Sequence, residues 1–201
     1  MVFKYFEQPG LFTGLTTAVC DTCGNSTACF DGTVFYGEES IDAICPACLA
    51  NGALDVMDIQ TNTGDTKELK RQLKERNSDL NDAAIKKLVK TKTQELEKQT
   101  PHLISWQDWD WPCAEGDYCR FIGYGSKEMY ESLAAGKDAK DIFAASIYYS
   151  VADEEDADIL WDEYLPGKAI KNYEESSAHG VLFYVFKSQH SDKLVSLWDS
   201  E

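Results

Sequence analysis

The chain has 201 residues, of which 43% are apolar and 12% aromatic, so it can bury a sizeable core and does not have the composition of a disordered segment. Its formal charge of −16 argues against nucleic acid and against an anionic membrane surface, both of which are met by Lys and Arg. No apolar run approaches the roughly 20 residues of a membrane span, and Met1–Gly10 holds no secretory apolar region. A cytoplasmic location is therefore expected, where metal sites and free thiols outnumber disulfides.

Residues 1–58 read as a short-stranded segment around two cysteine pairs. Phe3–Phe6 suits an edge strand, and Thr27–Tyr36 alternates loosely until Asp31-Gly32, a turn signal, breaks it. Pro46–Ala53 suits a short helix leaving the second pair. Residues 59–100 start with a polar loop and continue as a charged helical stretch. Leu69, Leu73, Leu80, Ala84 and Leu88 form one apolar stripe, and Asn77-Ser78-Asp79 divides it into two helices with Ser78 as the expected N-cap. Residues 66–99 hold ten Lys or Arg against six Asp or Glu, so the rest of the chain carries −20. A solvated helix face with internal ion pairs is the plain reading of that stretch.

Residues 101–201 are acidic and of mixed type. An irregular aromatic run (Trp106, Trp109, Trp111) precedes Cys113 and Cys119, Lys127–Ala135 suits a helix, and Ile142–Val151 fits either a strand or a helix. Asp153–Leu165 reads as an acidic helix. Val181–Lys187 and Leu194–Trp198 read as a hairpin turning at His190-Ser191-Asp192. The whole is an α+β chain: an N-terminal zinc-ribbon-like element, a central helical segment and a C-terminal helix plus β-hairpin region, the three segments forming one domain.

The chemistry-bearing residues are Cys20, Cys23, Cys45 and Cys48, two C-x-x-C pairs separated by 21 residues. Each pair supplies two thiolates from one tight turn, and four such ligands suit a tetrahedral, structural zinc with no open coordination position. Gly24 after the first pair suits the curl of such a knuckle. Disulfides, a thioredoxin-type redox motif at Cys45–Cys48 and inert buried thiols compete with this reading. The compartment, the missing βαβ context and the matched pairs speak against each in turn. Cys113 and Cys119 read as buried thiols; a second metal would need help from His102, His179 or His190. Nucleotide-binding, serine-hydrolase and zinc-protease motifs are missing, and three histidines leave few candidate bases. An enzyme is not expected.

The ordered set Cys20-x-x-Cys23-Gly24, Cys45-Pro-Ala-Cys48-Leu49-Ala50-Asn51-Gly52, Thr100-Pro101 followed by Ser105-Trp106-Gln107, Trp111-Pro112-Cys113 and Asp117–Gly123 resembles the CbrC family, bacterial proteins named for tolerance to a DNase-type colicin. The chain departs from it at Ser188 and Ser191, where many members carry a further cysteine pair, and in a longer insert over 66–93. The resemblance implies a zinc knuckle and a link to surviving a protein toxin. With the acidity, this gives the expected function: an immunity or tolerance protein binding a basic toxin domain, of nuclease type. The expected docking face is Asp153, Glu154, Glu155, Asp156, Asp158, Asp162, Glu174 and Glu175, with Tyr148, Tyr149, Trp161 and Tyr164 as aromatic anchors or, on the plainer reading, core residues. A thiol- or zinc-dependent enzyme, and a regulatory adaptor using the basic 66–99 stretch, are the alternatives.

Overall fold

The computed structural model describes residues 2–148 and 154–200. Tyr149 and Asp153 lie outside the described residues, as do the last residues of the Ile142–Val151 segment and the side chains of Glu154 and Glu155. In chain order the elements are α1 (Pro9–Phe12), β1 (Thr16–Val19), β2 (Ser26–Asp31), β3 (Tyr36–Gly37), β4 (Ala43–Ile44), α2 (Pro46–Ala50), β5 (Ile59–Gln60), α3 (Thr66–Arg76) and α4 (Asp82–Gln99). There follow β6 (Cys113–Ala114), β7 (Asp117–Tyr118), β8 (Arg120–Tyr124), α5 (Lys127–Leu133), α6 (Ala139–Ser146), α7 (Glu154–Ile159), a π-helical turn (Leu160–Tyr164), α8 (Tyr173–Ser176), β9 (Val181–Lys187) and β10 (Leu194–Ser200). This is a mixed α+β arrangement of small sheets.

The apolar run Val181–Lys187 has the pattern of a strand covered on both faces, and it is the middle strand of the order β10-β9-β8. Leu182, Tyr184 and Phe186 face a large cluster whose members run from Phe3 to Leu197. Phe183 and Val185 face a second cluster with Tyr130, Phe143 and Leu165. β10 pairs antiparallel with β9 from Leu194↔Lys187 to Ser200↔Val181, so the hairpin expected from the sequence forms and runs two residues past Trp198. β8 supplies the third strand, with Phe121 opposite Phe186 and a register shift before Gly123. Phe3–Phe6, expected as an edge strand, makes only a parallel bridge from Phe6 to Phe121. Tyr5 and Phe6 are instead core side chains.

In the large cluster Phe121 sits edge-on to Phe6, Phe12 and Phe186 with centroids 5.1, 5.2 and 5.4 Å apart. Trp111 packs on Phe186 at 5.1 Å and donates its indole N–H to the Cys119 carbonyl at 2.8 Å. Among the described residues two carboxyl groups, Asp117 and Asp199, are buried. Asp117, 3% exposed, accepts from Lys92 Nζ at 2.6 Å and Tyr5 Oη at 2.8 Å, with Lys4 Nζ at 3.4 Å.

Two helices replace the single charged stretch, as expected, but the cap lies further along. The Asn81 side chain accepts the Ala84 N–H at 2.9 Å, and Asn is as good an N-cap as Ser. The break resets the helical phase, so the stripe counted across it does not carry through. Leu69 and Leu73 are buried on α3, whereas on α4 the buried residues are Ile85 and Leu96 and Leu80 is 38% exposed. Among the described residues, four of the ten cations of the basic stretch are engaged within the fold, while Lys67, Lys70, Arg76, Lys86, Lys87 and Lys90 are exposed. Arg71 pairs with Glu68 and Glu75, Lys74 with Asp82, Lys92 with Asp117, and Lys98 donates to the Met57 and Ile59 carbonyls. Ile142–Val151, ambiguous in sequence, belongs to a helix up to Ser146; Asp138 caps it by accepting the Lys140 and Asp141 N–H groups.

Candidate functional site

β1, β2 and β4 form a three-stranded sheet that brings the two C-x-x-C turns to one end. In the first turn Gly24 N–H donates to the Cys20 carbonyl at 2.8 Å and Cys20 N–H to the Asn25 carbonyl at 3.0 Å. Gly24 has φ 72°, a left-handed value that a Cβ would strain. In the second turn Cys45 is the N-cap of α2, with Pro46 at the first helical position. Asp21 joins the two: its carboxylate accepts the Asp42 and Ala43 N–H groups at 2.7 and 2.9 Å.

The result is that the sulfurs of Cys20, Cys23, Cys45 and Cys48 all lie within 4.8 Å of one another. Cys23 and Cys45 Sγ are 3.9 Å apart. The Cys45 N–H points at Cys20 Sγ at 3.3 Å and the Cys48 N–H at Cys45 Sγ at 3.5 Å. These four residues could hold a metal ion. Cys20 and Cys45 are buried while Cys23 is exposed, so the cluster is walled on one side and open on the other.

The electrostatics point the same way. Burial pushes the Cys20 thiol up, but N–H groups of Cys45, Cys23 and Thr22 directed at its sulfur outweigh that and hold it down at about 6. Cys48 is pushed well up, by burial first and then by the three neighbouring sulfurs. Four thiolates at this spacing repel one another without a cation between them, and a divalent ion removes the conflict. Among the described residues, no other group of three or more His, Cys, Asp or Glu side chains comes close enough to share an ion. Cys29 is a buried thiol that donates to the Ala18 carbonyl at 3.7 Å.

Cys113 and Cys119 are buried, at 2% and 0% exposure. Burial pushes Cys113 up to about 12 and Cys119 higher still. A nucleophilic or metal-binding cysteine needs the thiolate within reach at neutral pH, and these two hold their protons. In the native protein at pH 7.5, iodoacetamide should modify Cys113 and Cys119 only at the rate of global unfolding, as read by mass spectrometry of quenched time points. Ser188 and Ser191 both donate to Glu115 Oε2, at 2.5 and 2.6 Å. They thus tie the C-terminal hairpin to the turn between β6 and β7 through hydroxyls.

The acids of the expected docking face lie in different settings. Asp158 and Asp162 both engage Lys140 Nζ, at 3.0 and 3.1 Å. Glu174 is exposed, Glu175 accepts the Lys171 N–H at 2.9 Å, and Asp156 is half-buried. Of the aromatics, Trp161 is half-buried against Phe143 and Tyr130, centroids 5.6 and 6.2 Å away. Tyr148 donates to Asp65 Oδ2 at 3.0 Å. Tyr164 is 48% exposed.

Sequence reasoning did not single out a cleft between β3, β5 and the 102–111 segment, lined by Tyr36, Asn62, His102, Asp108, Trp109 and Asp110. Its signal in the sequence is the alternation Trp106-x-Asp108-Trp109-Asp110-Trp111, but the partners Tyr36 and Asn62 are remote and no spacing announces them.

Fold and site together define a mixed α+β protein with a four-cysteine, metal-capable knuckle at its N-terminal end. The profile of an uncharacterised protein family (UPF0167) matches residues 1–199, and the chain belongs to that family. No solved structure matches it. Among the described residues no helix is long and apolar enough to cross a membrane.

Proposed function

We propose that this chain is a zinc-scaffolded binding protein that captures a basic protein domain across its acidic surface. The finer form of that reading is a bacterial immunity or tolerance protein that neutralises a basic, nuclease-type toxin. The observation that carries it is how the charge is distributed. Residues 1–65 hold nine acids against one lysine, and residues 100–201 carry a net −12. Ten of the cations lie in α3 and α4, where four of them are engaged within the fold. A partner of complementary charge would be steered in quickly and held by a polar interface.

Zinc is the ion that four thiolates in a tetrahedral cluster suit best, and with four protein ligands it would scaffold rather than activate water. The thiol-enzyme alternative is disfavoured by the protonated, buried state of Cys113 and Cys119. In the adaptor alternative's basic stretch, Arg71, Lys74, Lys92 and Lys98 already have partners within the fold, which leaves six exposed cations for an acidic partner.

The reading is tested by salt. Affinity for a purified basic nuclease domain, measured by calorimetry, should fall by about tenfold or more between 50 and 500 mM NaCl, chiefly through a slower association rate. Affinity independent of salt would rule out charge-guided docking.

A further inference from the structure

The cleft lined by Tyr36, Asn62, His102, Asp108, Trp109 and Asp110 has a volume of about 560 Å³. It is the size of a small-ligand site and mixes aromatic surface with a few convergent polar groups. Its shape is held by the fold. Gly37, φ 143°, lets β3 press on the Asp58 carbonyl where any Cβ would collide, and this sets Tyr36 at the rim, 46% exposed. Tyr36 stands edge-on to His102 at 5.7 Å. Trp109 is braced from behind by Tyr184 and Phe186, at 5.2 and 6.0 Å. The Asn62 amide, 7% exposed, donates to the Pro101 carbonyl at 3.0 Å and accepts the Leu103 N–H at 3.1 Å, fixing the path of the lining segment.

The charge in the cleft is one-sided. Asp108 and Asp110 are exposed, and neither has a hydrogen bond or ion pair among the described residues, in contrast to Asp158 and Asp162 on Lys140. Among the described residues no Lys or Arg lines the cleft. Burial and then Asp65 push the Asp110 carboxyl up, and burial and then Asp108 push the Tyr36 phenol up. His102 Nδ1 lies 2.6 Å from the Thr61 carbonyl and donates to it. Burial holds the ring below its ordinary pKa despite that bond, so it is neutral and offers no cation of its own. The cleft therefore presents aromatic faces and acceptors with negative potential.

A flat cation with several N–H donors complements that set: it can lie against an aromatic ring while its fork meets a carboxylate. We infer that this cleft binds the guanidinium group of arginine, as the free compound or as a side chain on a protein partner. The inference deepens the binding role proposed above by naming a side chain for it, yet stands on the cleft alone.

The test uses the full-length protein with Nα-acetyl-arginine-N-methylamide as probe, followed by ¹H–¹⁵N spectra at the Trp109 indole and the Tyr36 and Gln60 amides. The expected result is a saturable shift at these positions, at least about fivefold weaker for the capped lysine analogue. It should be lost in Asp108→Asn/Asp110→Asn, whose altered side chains are exposed and leave the core untouched, and weakened in Tyr36→Ala. No saturable shift, or equal shifts from arginine, lysine and NaCl, would overturn the inference. The source is distinguished by competition. If the capped arginine displaces a basic protein domain, the cleft serves that partner. If the domain binds with salt sensitivity but unchanged affinity in Asp108→Asn/Asp110→Asn, and the free probe does not bind, the cleft is refuted while the wider binding role survives. If the probe binds but no basic domain is captured, the cleft stands as a small-ligand site and the binding role fails.

Discussion

Cys45→Ser is expected to abolish metal binding and to lower the Tm by on the order of 10 °C. Cys45 serves both as a candidate ligand and as the N-cap of α2, where its sulfur accepts the Cys48 N–H. Serine is among the best N-cap residues, so the substitution preserves the cap and isolates the loss of the thiolate. A structural zinc contributes roughly 10 kcal/mol or more to the folding of an isolated zinc-finger peptide. Here much of the chain has its own aromatic core, so the penalty should fall mainly on residues 16–50. A loss of about 4 kcal/mol corresponds to about 8–16 °C at this chain length. Hydrogen exchange should show the amides of β1, β2 and β4 losing protection while those of β9 and β10 keep theirs. Cys113→Ala is the control: it should retain metal and cost only the modest penalty of a shortened buried side chain.

Asp117→Ala should cost about 3 kcal/mol, read from urea unfolding at pH 7. The substitution leaves the ammonium of Lys92 without its acceptor inside the fold and takes from the Tyr5 hydroxyl its nearer acceptor, Glu95 Oε2 at 3.3 Å remaining. Lys92 and Lys4 side chains keep 19% and 36% exposure, so they can turn partly to water, which holds the cost at the low end for a broken buried pair. The pH dependence gives a second reading of the same group. Burial pushes the Asp117 carboxyl up, but Lys92, Tyr5 and Lys4 outweigh it and its pKa lies below the ordinary aspartate value. The unfolded chain therefore takes up this proton at higher pH than the folded one. The stabilisation is complete above the unfolded value of about 3.9 and is lost as pH falls below it. Acid also strips metal from thiolates, so the informative quantity is the wild-type minus Asp117→Asn stability difference at each pH. That difference should shrink from pH 5 to pH 3.

What could be read from the sequence was what is local. The C-x-x-C pairs announce themselves because each knuckle is built from adjacent residues. The structure then needed only the β1-β2-β4 sheet to bring the pairs together. The β9–β10 hairpin was equally plain, since the short run Val181–Phe186 is rich in β-branched and aromatic residues and is followed by a polar turn and a second such run. Long-range pairing was not readable. Nothing near Arg120–Tyr124 says that it joins β9, and Phe3–Phe6, which has strand-like alternation, spends its aromatic rings on the core rather than on a ladder. The α4 stripe was misplaced because the turn at Asn77–Leu80 resets the helical phase. Ser78 lost the cap to Asn81, a residue of equal capping strength three positions on. The setting of Trp161 follows from packing against Tyr130 and Phe143, which no spacing encodes. The Tyr36–Asp110 cleft is assembled from segments far apart in the chain, and only the braced position of Trp109 turns an aromatic run into a wall.

Cys20, Cys23, Cys45 and Cys48 are proposed to hold one structural zinc. Elemental analysis of the protein purified without added metal tests this proposal most directly. One zinc per chain is expected, with four thiols becoming reactive only after chelation. A chain with no bound metal and those four cysteines oxidised to disulfides, or freely reactive from the start in a folded protein, would contradict it.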